Sequence, residues 1–322
     1  MKTPYFLWLF LLAAISSATA QTHIVTGLVK DKNGNPVHFV FVNDNNYKEA
    51  TFTDSLGNFS IFVRPDSKLG FVAKGYTDTL VSAGNNNSFQ ITLRETGAAG
   101  SGAPKGQTAE SDAVHMRQLQ HSDDIDLRMM PGHEKGNLRG SRYLFDNFVH
   151  GYIINADDQI VHNPAYLINY DKISGLPVLT NDNENIFKYS WDRAMGFTLV
   201  SDNNLRVSFA KEPSIDNAHF LQVLASGKKY RIYKLIKTKF VKADYVNSGV
   251  VSHGNDYDEY VDDADYYVWD VQGNKAQKIA LKKKGIKEAF AKEADKVNKF
   301  LSDNSGDIND AYLNKLGDYM NQ

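Results

Sequence analysis

The 322-residue sequence predicts a mainly β protein of two domains: a small N-terminal β-sandwich, a flexible linker, and a second β-rich meander domain that ends in a C-terminal helix pair. Three observations predict it. Short runs of β-branched and aromatic residues alternate with turn-forming Asn, Asp, Gly and Pro over residues 21–94 and again over 139–281. A stretch of small residues within 95–138 separates these halves. Only over 282–322 does the apolar spacing lengthen to that of a helix face.

In chain order, Lys2 supplies a positive start and Tyr5 to Ile15 is almost wholly apolar, before the small residues that end in Ala18-Thr19-Ala20. This pattern predicts a secretory signal peptide over 1–20, cleaved between Ala20 and Gln21. Its apolar core of about a dozen residues is too short for a bilayer roughly 30 Å thick. No later segment has the run of roughly 18 apolar residues that spanning needs, so the mature chain is expected to carry no transmembrane segment. The expected location is the periplasm or the outer cell surface. With no cysteine, the chain has neither a disulfide framework nor a lipid-acceptor thiol after the leader. Its 36 Lys and Arg balance 38 Asp and Glu, which leaves no broad basic field for nucleic acid.

In the first domain, the strand-like run His23 to Val29 is broken by Asp31-Lys32-Asn33-Gly34-Asn35-Pro36, and Val37 to Val42 reads as a second strand. Asp54 to Asn58 then reads as the turn of a hairpin between Thr51-Phe52-Thr53 and Phe59 to Val63. Leu69 to Ala73, Thr79 to Ser82 and Phe89 to Leu93 bring the expected number of strands to about seven, as in an immunoglobulin-like sandwich.

Three motifs occur here in order: Gly27-x-Val29-x-Asp31-x-x-Gly34-x-Pro36-Val37, then Thr53-Asp54-x-x-Gly57-x-Phe59-x-Ile61, then Phe71 before Gly75-Tyr76. The segment resembles the carboxypeptidase regulatory-like domain, a transthyretin-like β-sandwich found at the front of exported proteins of Bacteroidetes-type bacteria. Each motif also has a physical reading. Gly34 and Gly57 suit turn positions of positive φ, Pro36 restrains the chain, and Phe59 and Ile61 point to one side. The resemblance implies no activity, because that domain contributes no zinc ligand. A zinc peptidase needs H-x-x-E or H-E-x-x-H spacing, and none of the nine histidines has it. His133-Glu134 and His121-x-x-Asp124 come nearest and read as solvated connecting residues.

The stretch Gly97-Ala98-Ala99-Gly100-Ser101-Gly102-Ala103-Pro104-Lys105-Gly106 reads as a flexible coil, so the domains are expected to be tethered rather than fused. The Met and His residues between His115 and His133 are too irregular for a soft-metal site.

In the second domain, strands are expected at Phe148 to Ile154, Gln159 to His162, Tyr166 to Tyr170, Pro177 to Thr180, Ile186 to Tyr189, Phe197 to Val200 and Leu205 to Phe209. Two further pairs follow, Phe220 to Ala225 with Tyr230 to Lys237 and Asp265 to Val271 with Ala276 to Leu281. Ile286, Ala289, Phe290, Val297, Phe300 and Leu301 share one helical face. A second helix holds Ile308, Leu313, Leu316 and Tyr319, with Asp307 as its N-cap and Asp310 near its positive end. Lys282-Lys283-Lys284 reads as a solvated face, offset by nearby acids. The segment Gly140 to Gly151, which reads G-x-x-Y-L-x-x-x-F-x-x-G, and the Lys-rich end make this half similar to uncharacterised exported proteins of the same bacteria.

The acidic run Asp256 to Asp265 offers Asp256, Asp258 and Asp262 as weak cation ligands. It lacks the glycine and distal glutamate of a calcium loop and reads as a solvated loop between strands. No G-x-S-x-G elbow exists, and Ser252-His253 are mere sequence neighbours. Tyr143, Phe145, Phe148, Tyr152, Tyr166, Tyr170, Tyr189 and Trp191 read mainly as core and cross-strand partners, with a glycan or peptide groove as the second reading. Uneven strands and a polar helical end disfavour an outer-membrane barrel. The sequence therefore predicts an exported, noncatalytic binding or structural protein without a cofactor, with a protein or glycan partner at the cell envelope. The alternative is an enzyme of unrecognised class in the second domain, which requires acids or bases with perturbed pKa values converging in a deep pocket.

Overall fold

The computed structural model describes residues 22–96, 138–182, 186–188, 194–247 and 252–322. The leader with Ala20 and Gln21, nearly all of the linker with His115, His121 and His133, and the aromatics Tyr189 and Trp191 lie outside the described residues. The protein is mainly β, built of several sheets, with helices at the C-terminal end.

Seven strands form two sheets over residues 22–96. In one sheet, β1 (His23–Lys30) pairs antiparallel with β4 (Asn58–Val63) and parallel with β7 (Ser88–Thr92). In the other, β2 (Phe41–Asp44) lies between β3 (Ala50–Phe52) and β5 (Lys68–Val72), and β6 (Thr79–Ser82) extends the sheet beyond β5. Val25, Val29, Val42, Phe59, Ile61, Leu69 and Phe71 fill the space between the sheets. The period-two alternation of β4 buries Phe59, Ile61 and Val63 and leaves Phe62 outside, as expected. Gly34 and Gly57 both have positive φ, and a Cβ at Gly57 would strike the Val29 carbonyl.

Two local expectations are corrected. The run Val37 to Val42 is not one strand: Phe39 turns into the left-handed region at φ 55°, and β2 begins only at Phe41. The buried Thr53 hydroxyl holds that turn, donating to the Val37 carbonyl at 2.7 Å and accepting from the Val40 amide at 2.9 Å. The segment around Asp54 to Asn58 is a tight turn but not a hairpin, because β3 and β4 belong to different sheets. The Asp54 carboxylate accepts the amides of Leu56 and Asn58, and this turn carries the chain across the sandwich.

The second half is organised on one large sheet. Its strands are β8 (Leu138–Arg139), β9 (His150–Asn155), β10 (Ile160–Val161), β14 (Ala194–Val200), β15 (Arg206–Glu212), β16 (Asp216–Ser226), β17 (Tyr230–Val241), β20 (Asp258–Asp270) and β21 (Lys275–Ile279). Their order is β10-β9-β14-β15-β16-β17-β20-β21, with β8 parallel to one end of β20. The expected meander is interrupted, because β11 (Leu167–Asp171), β12 (Leu176–Thr180) and β13 (Ile186–Lys188) leave it and form a small separate sheet. Two short strands, β18 (Val246–Asn247) and β19 (Ser252–His253), pair with each other between β17 and β20.

The small sheet and the helices share one face of the large sheet. At one end Tyr170 and Leu179 pack on Phe197, Phe209, Phe220 and Ile236. At the other, α1 (Lys283–Ala289), α2 (Ala294–Asp303) and α3 (Asp310–Asn321) cover Tyr230, Ile232, Tyr266 and Val268. The continuous helix expected through residues 286–301 is broken at Phe290 and the 3-10 turn Ala291–Glu293. Asn309, not Asp307, caps α3, its side chain accepting the Tyr312 amide at 3.0 Å. A Cβ at Gly317 would lie 2.2 Å from that of Ala225, so only glycine lets α3 approach the sheet this closely.

The opposite face of the large sheet, at its β9–β14 end, receives the sandwich. Phe41, Ala50 and Phe52 pack against Val200, Tyr152 and Ile160. Arg206 donates to the Ala50 carbonyl at 3.3 Å and to the Thr51 hydroxyl. The tethered arrangement expected from the linker is thus corrected: the two bodies share an apolar contact.

Candidate functional site

Between its two coverings the large sheet is left open, and there lies a cleft of about 610 Å³. Its origin is a break in the apolar alternation of three neighbouring strands. On β17 the inward positions Tyr230, Ile232 and Ile236 are buried and apolar, but Lys234 interrupts them. On β16 Gln222 falls between Phe220 and Leu224, opposite Lys234, and on β20 Tyr266 lies opposite Lys234 from the other side. This polar row forms part of the floor. Leu144 and Phe145 form the wall beside the small sheet, while Leu281 and Asp310 form the helical wall.

Each end of the cleft holds an ion pair. The Lys234 amine lies 2.6 Å from Asp310, whose other oxygen accepts the Tyr266 hydroxyl at 2.8 Å. Asp310 sits in the first turn of α3, where a carboxylate also meets the positive end of the helix dipole. Burial, then the bond to Asp310, pushes the Tyr266 hydroxyl up, so it remains a donor at neutral pH. At the other end, the amine of the buried Lys172 reaches both Asp262 oxygens at 2.6 and 2.8 Å, and Thr238 donates to Asp262 at 2.6 Å. Thr238 follows Lys234 by four positions along β17, which sets the two polar ends about 13 Å apart at the usual strand rise. Ile236 and Ala264 lie between them.

Lys172 is held in place by the turn it occupies. Asp171, fully buried, takes two bonds from Arg142 at 2.7 and 2.9 Å, one from the Ser174 hydroxyl and one from the Ile173 amide. Burial raises the Asp171 carboxyl, but the bonds and charge of Arg142, with Ser174 and Ile173, outweigh it and hold the group below the usual carboxylate range.

The acidic run is not a solvated loop: from Asp258 onward it belongs to the thirteen-residue strand β20. Asp263 stands opposite Lys237, and Asp265 lies 2.6 Å from Lys237 and 2.7 Å from Lys278. The three candidate cation ligands do not converge. Asp262 is engaged by Lys172 and Thr238, Asp258 accepts the Ala243 amide at 2.7 Å about 13 Å away along the strand, and Asp256 precedes the strand. Among the described residues, no three His, Asp or Glu side chains are placed to hold a metal ion. Of the expected aromatics, Phe145 lines the cleft, Tyr170 lies in the core, and Tyr152 packs beneath the sandwich.

These elements define a β-rich protein with an open, ion-paired cleft on its large sheet. No family model and no curated protein matches the chain. Solved structures similar to it include a variant of BcpA, the major pilin subunit of Bacillus cereus, at 11% identity and a TM-score of 0.18, covering 81% of this chain and 93% of that one. BcpA itself matches at 8% identity and a TM-score of 0.17, with the same coverage. Likeness at that level carries no argument about this chain. Among the described residues, no helix is long and apolar enough to cross a membrane.

Proposed function

We propose that the chain is an exported, noncatalytic binding protein whose cleft takes a neutral, hydroxyl-rich ligand, a glycan of the cell envelope. The N-terminal sandwich acts as its carboxypeptidase regulatory-like module. The observation that carries this reading is the mutual neutralisation of the charges at the two ends of the cleft. A charged ligand would have to break Lys172–Asp262 or Lys234–Asp310, whereas sugar hydroxyls donate and accept at paired groups without displacing them. Ile236, Ala264 and Phe145 supply the apolar surface on which a sugar ring rests. The leader pattern supports export, and seven strands in two sheets support the regulatory-like reading.

Purified mature chain on an array of bacterial envelope glycans is expected to bind a restricted set. Gln222→Trp, which fills the floor, is expected to lower that binding at least tenfold, while Phe62→Ser on the outer face of the sandwich leaves it unchanged. Unaltered binding by Gln222→Trp removes the cleft from the account, and release of cleaved sugar from a bound glycan replaces binding by catalysis.

A further inference from the structure

Three histidines lie in the apolar contact between the sandwich and the large sheet. His38 stacks on Phe39 with ring centroids 3.7 Å apart, and Phe39 stacks in turn on His150 of β9 at 4.2 Å. His162, just past β10, stacks on Phe41 of β2 at 4.2 Å and meets Phe52 edge-on at 5.4 Å. Their polar atoms are sparsely served. His162 Nδ1 lies 2.8 Å from the Gly151 carbonyl and therefore carries its proton, while the buried Nε2 of His38 has no partner.

We infer that this seam is an acid-sensitive joint: protonation of His150 and His162 places cations inside the aromatic contact and releases the sandwich from the large sheet while both bodies stay folded. The inference stands apart from the ligand of the cleft. Each body has its own core, the one between the two sheets of the sandwich and the ones beneath the small sheet and the helices, so separation exposes only the shared contact.

A protonated imidazole donates from both nitrogens, and the seam meets the first with a carbonyl and surrounds the ring with phenylalanines. Cation–π attraction to Phe41 returns only part of that desolvation cost. Burial holds His162 down to about 4; the Gly151 carbonyl opposes this and His150 adds to it. Burial also lowers His150, with Asp202 opposing and His38 adding.

Other charged groups border the seam. Arg206 is a fixed cation bonded to the Ala50 carbonyl and Thr51 hydroxyl, and Lys48 pairs with Asp158 at the exposed rim. On the same hairpin, Glu49 is raised by burial and then by the charge of Asp44, so its protonation favours the docked state and opposes the histidines.

The sign follows from the lowered histidine values. Docking is at full strength above the free histidine value of 6.5 and weakens as pH falls toward the docked value near 4. For His162 alone this is a loss of roughly two orders of magnitude in the docking equilibrium.

Because the chain lacks cysteine, Asn85→Cys on the sandwich and Asn298→Cys on α2 allow two dyes to report the distance between the bodies. Energy transfer in the otherwise intact mature chain is expected to fall reversibly between pH 7.5 and 4.5, with far-ultraviolet circular dichroism unchanged. The pair His150→Gln and His162→Gln, which keeps a donor for the Gly151 carbonyl but cannot titrate, is expected to flatten the response. Glu49→Gln is expected to retain it. Phe41→Ala is expected to lower transfer already at pH 7.5, which keeps the test informative if the histidine variant folds poorly. Transfer independent of pH in the parent, an equal fall in the doubly substituted chain, or loss of secondary structure in step with transfer overturns the inference.

Discussion

Replacing Phe209 by alanine is expected to lower the stability of the second half by about 3–5 kcal/mol, the range for removing a fully buried aromatic ring. Phe209 is stacked on two other rings that also touch each other: its ring centroid lies 4.4 Å from that of Tyr170 on the small sheet and 4.7 Å from that of Phe197 on β14, with only 9° between the latter planes, and Tyr170 and Phe197 are 6.1 Å apart. Phe197 meets Phe220 edge-on at 5.2 Å, and the Tyr170 hydroxyl donates to the Phe220 carbonyl at 2.9 Å. The cluster joins the small sheet to the large one, so the cavity left by truncation is bounded by Tyr170 of one sheet and Phe197 of the other and cannot close cheaply. Such a loss is a large share of the roughly 5–15 kcal/mol typical of a folded protein. Urea unfolding followed by tryptophan fluorescence reads the change directly. A loss below about 1 kcal/mol would mean that the two sheets are not held together by this stack.

The second large effect is expected at Asp171. Its side chain is fully enclosed and takes two bonds from Arg142, so Asp171→Ala leaves a half-buried guanidinium without its counter-charge. The expected loss is about 3–5 kcal/mol, the cost of removing one partner from a buried pair. Asp171→Asn keeps the shape and is expected to lose about half as much. The pH dependence has a definite sign. With the folded carboxyl held below its free value, its contribution is complete above pH ~4 and disappears as pH falls through the folded value. Stability of the parent is therefore expected to fall more steeply with acid than that of Asp171→Asn, as measured by urea midpoints at a series of pH values. Because Lys172 follows Asp171 and is oriented by the same turn, Asp171→Asn is also expected to weaken ligand binding in the cleft.

Elements carried by local pattern were legible in the sequence. The alternation Phe59, Ile61, Val63 placed β4, and the glycines at 34 and 57 marked turns whose positive φ the structure bears out. What depended on partners distant in sequence was not legible. Thr51-Phe52 and Phe59 to Val63 look like the arms of a hairpin, and nothing local says that they join different sheets. The break at Phe290 leaves Ile286, Phe290, Val297 and Leu301 on one helical stripe, so periodicity passes through it unchanged. Asp256 to Asp265 reads as solvated because its cations, Lys172, Lys237 and Lys278, arrive from three separate segments.

The cleft itself left one signal in the sequence. Lys234 and Gln222 stand at inward positions of otherwise apolar strands, and a lysine on a buried face marks either a pair or a site. Read alone, neither residue shows that both fall in one cross-strand row with Tyr266. Asp310 was legible as an acid near the start of a helix, but its bond to Lys234 spans 76 positions of chain.

Hydrogen exchange of the mature chain, with and without a glycan selected on the array, tests the binding site most directly. Slower exchange is expected in β16, β17 and β20 around Gln222, Lys234 and Ala264, and in the Asp171 to Gly175 turn, with the sandwich strands unchanged. Protection confined to the sandwich, or to β9 and β14 at the far end of the large sheet, would contradict the assignment of the cleft.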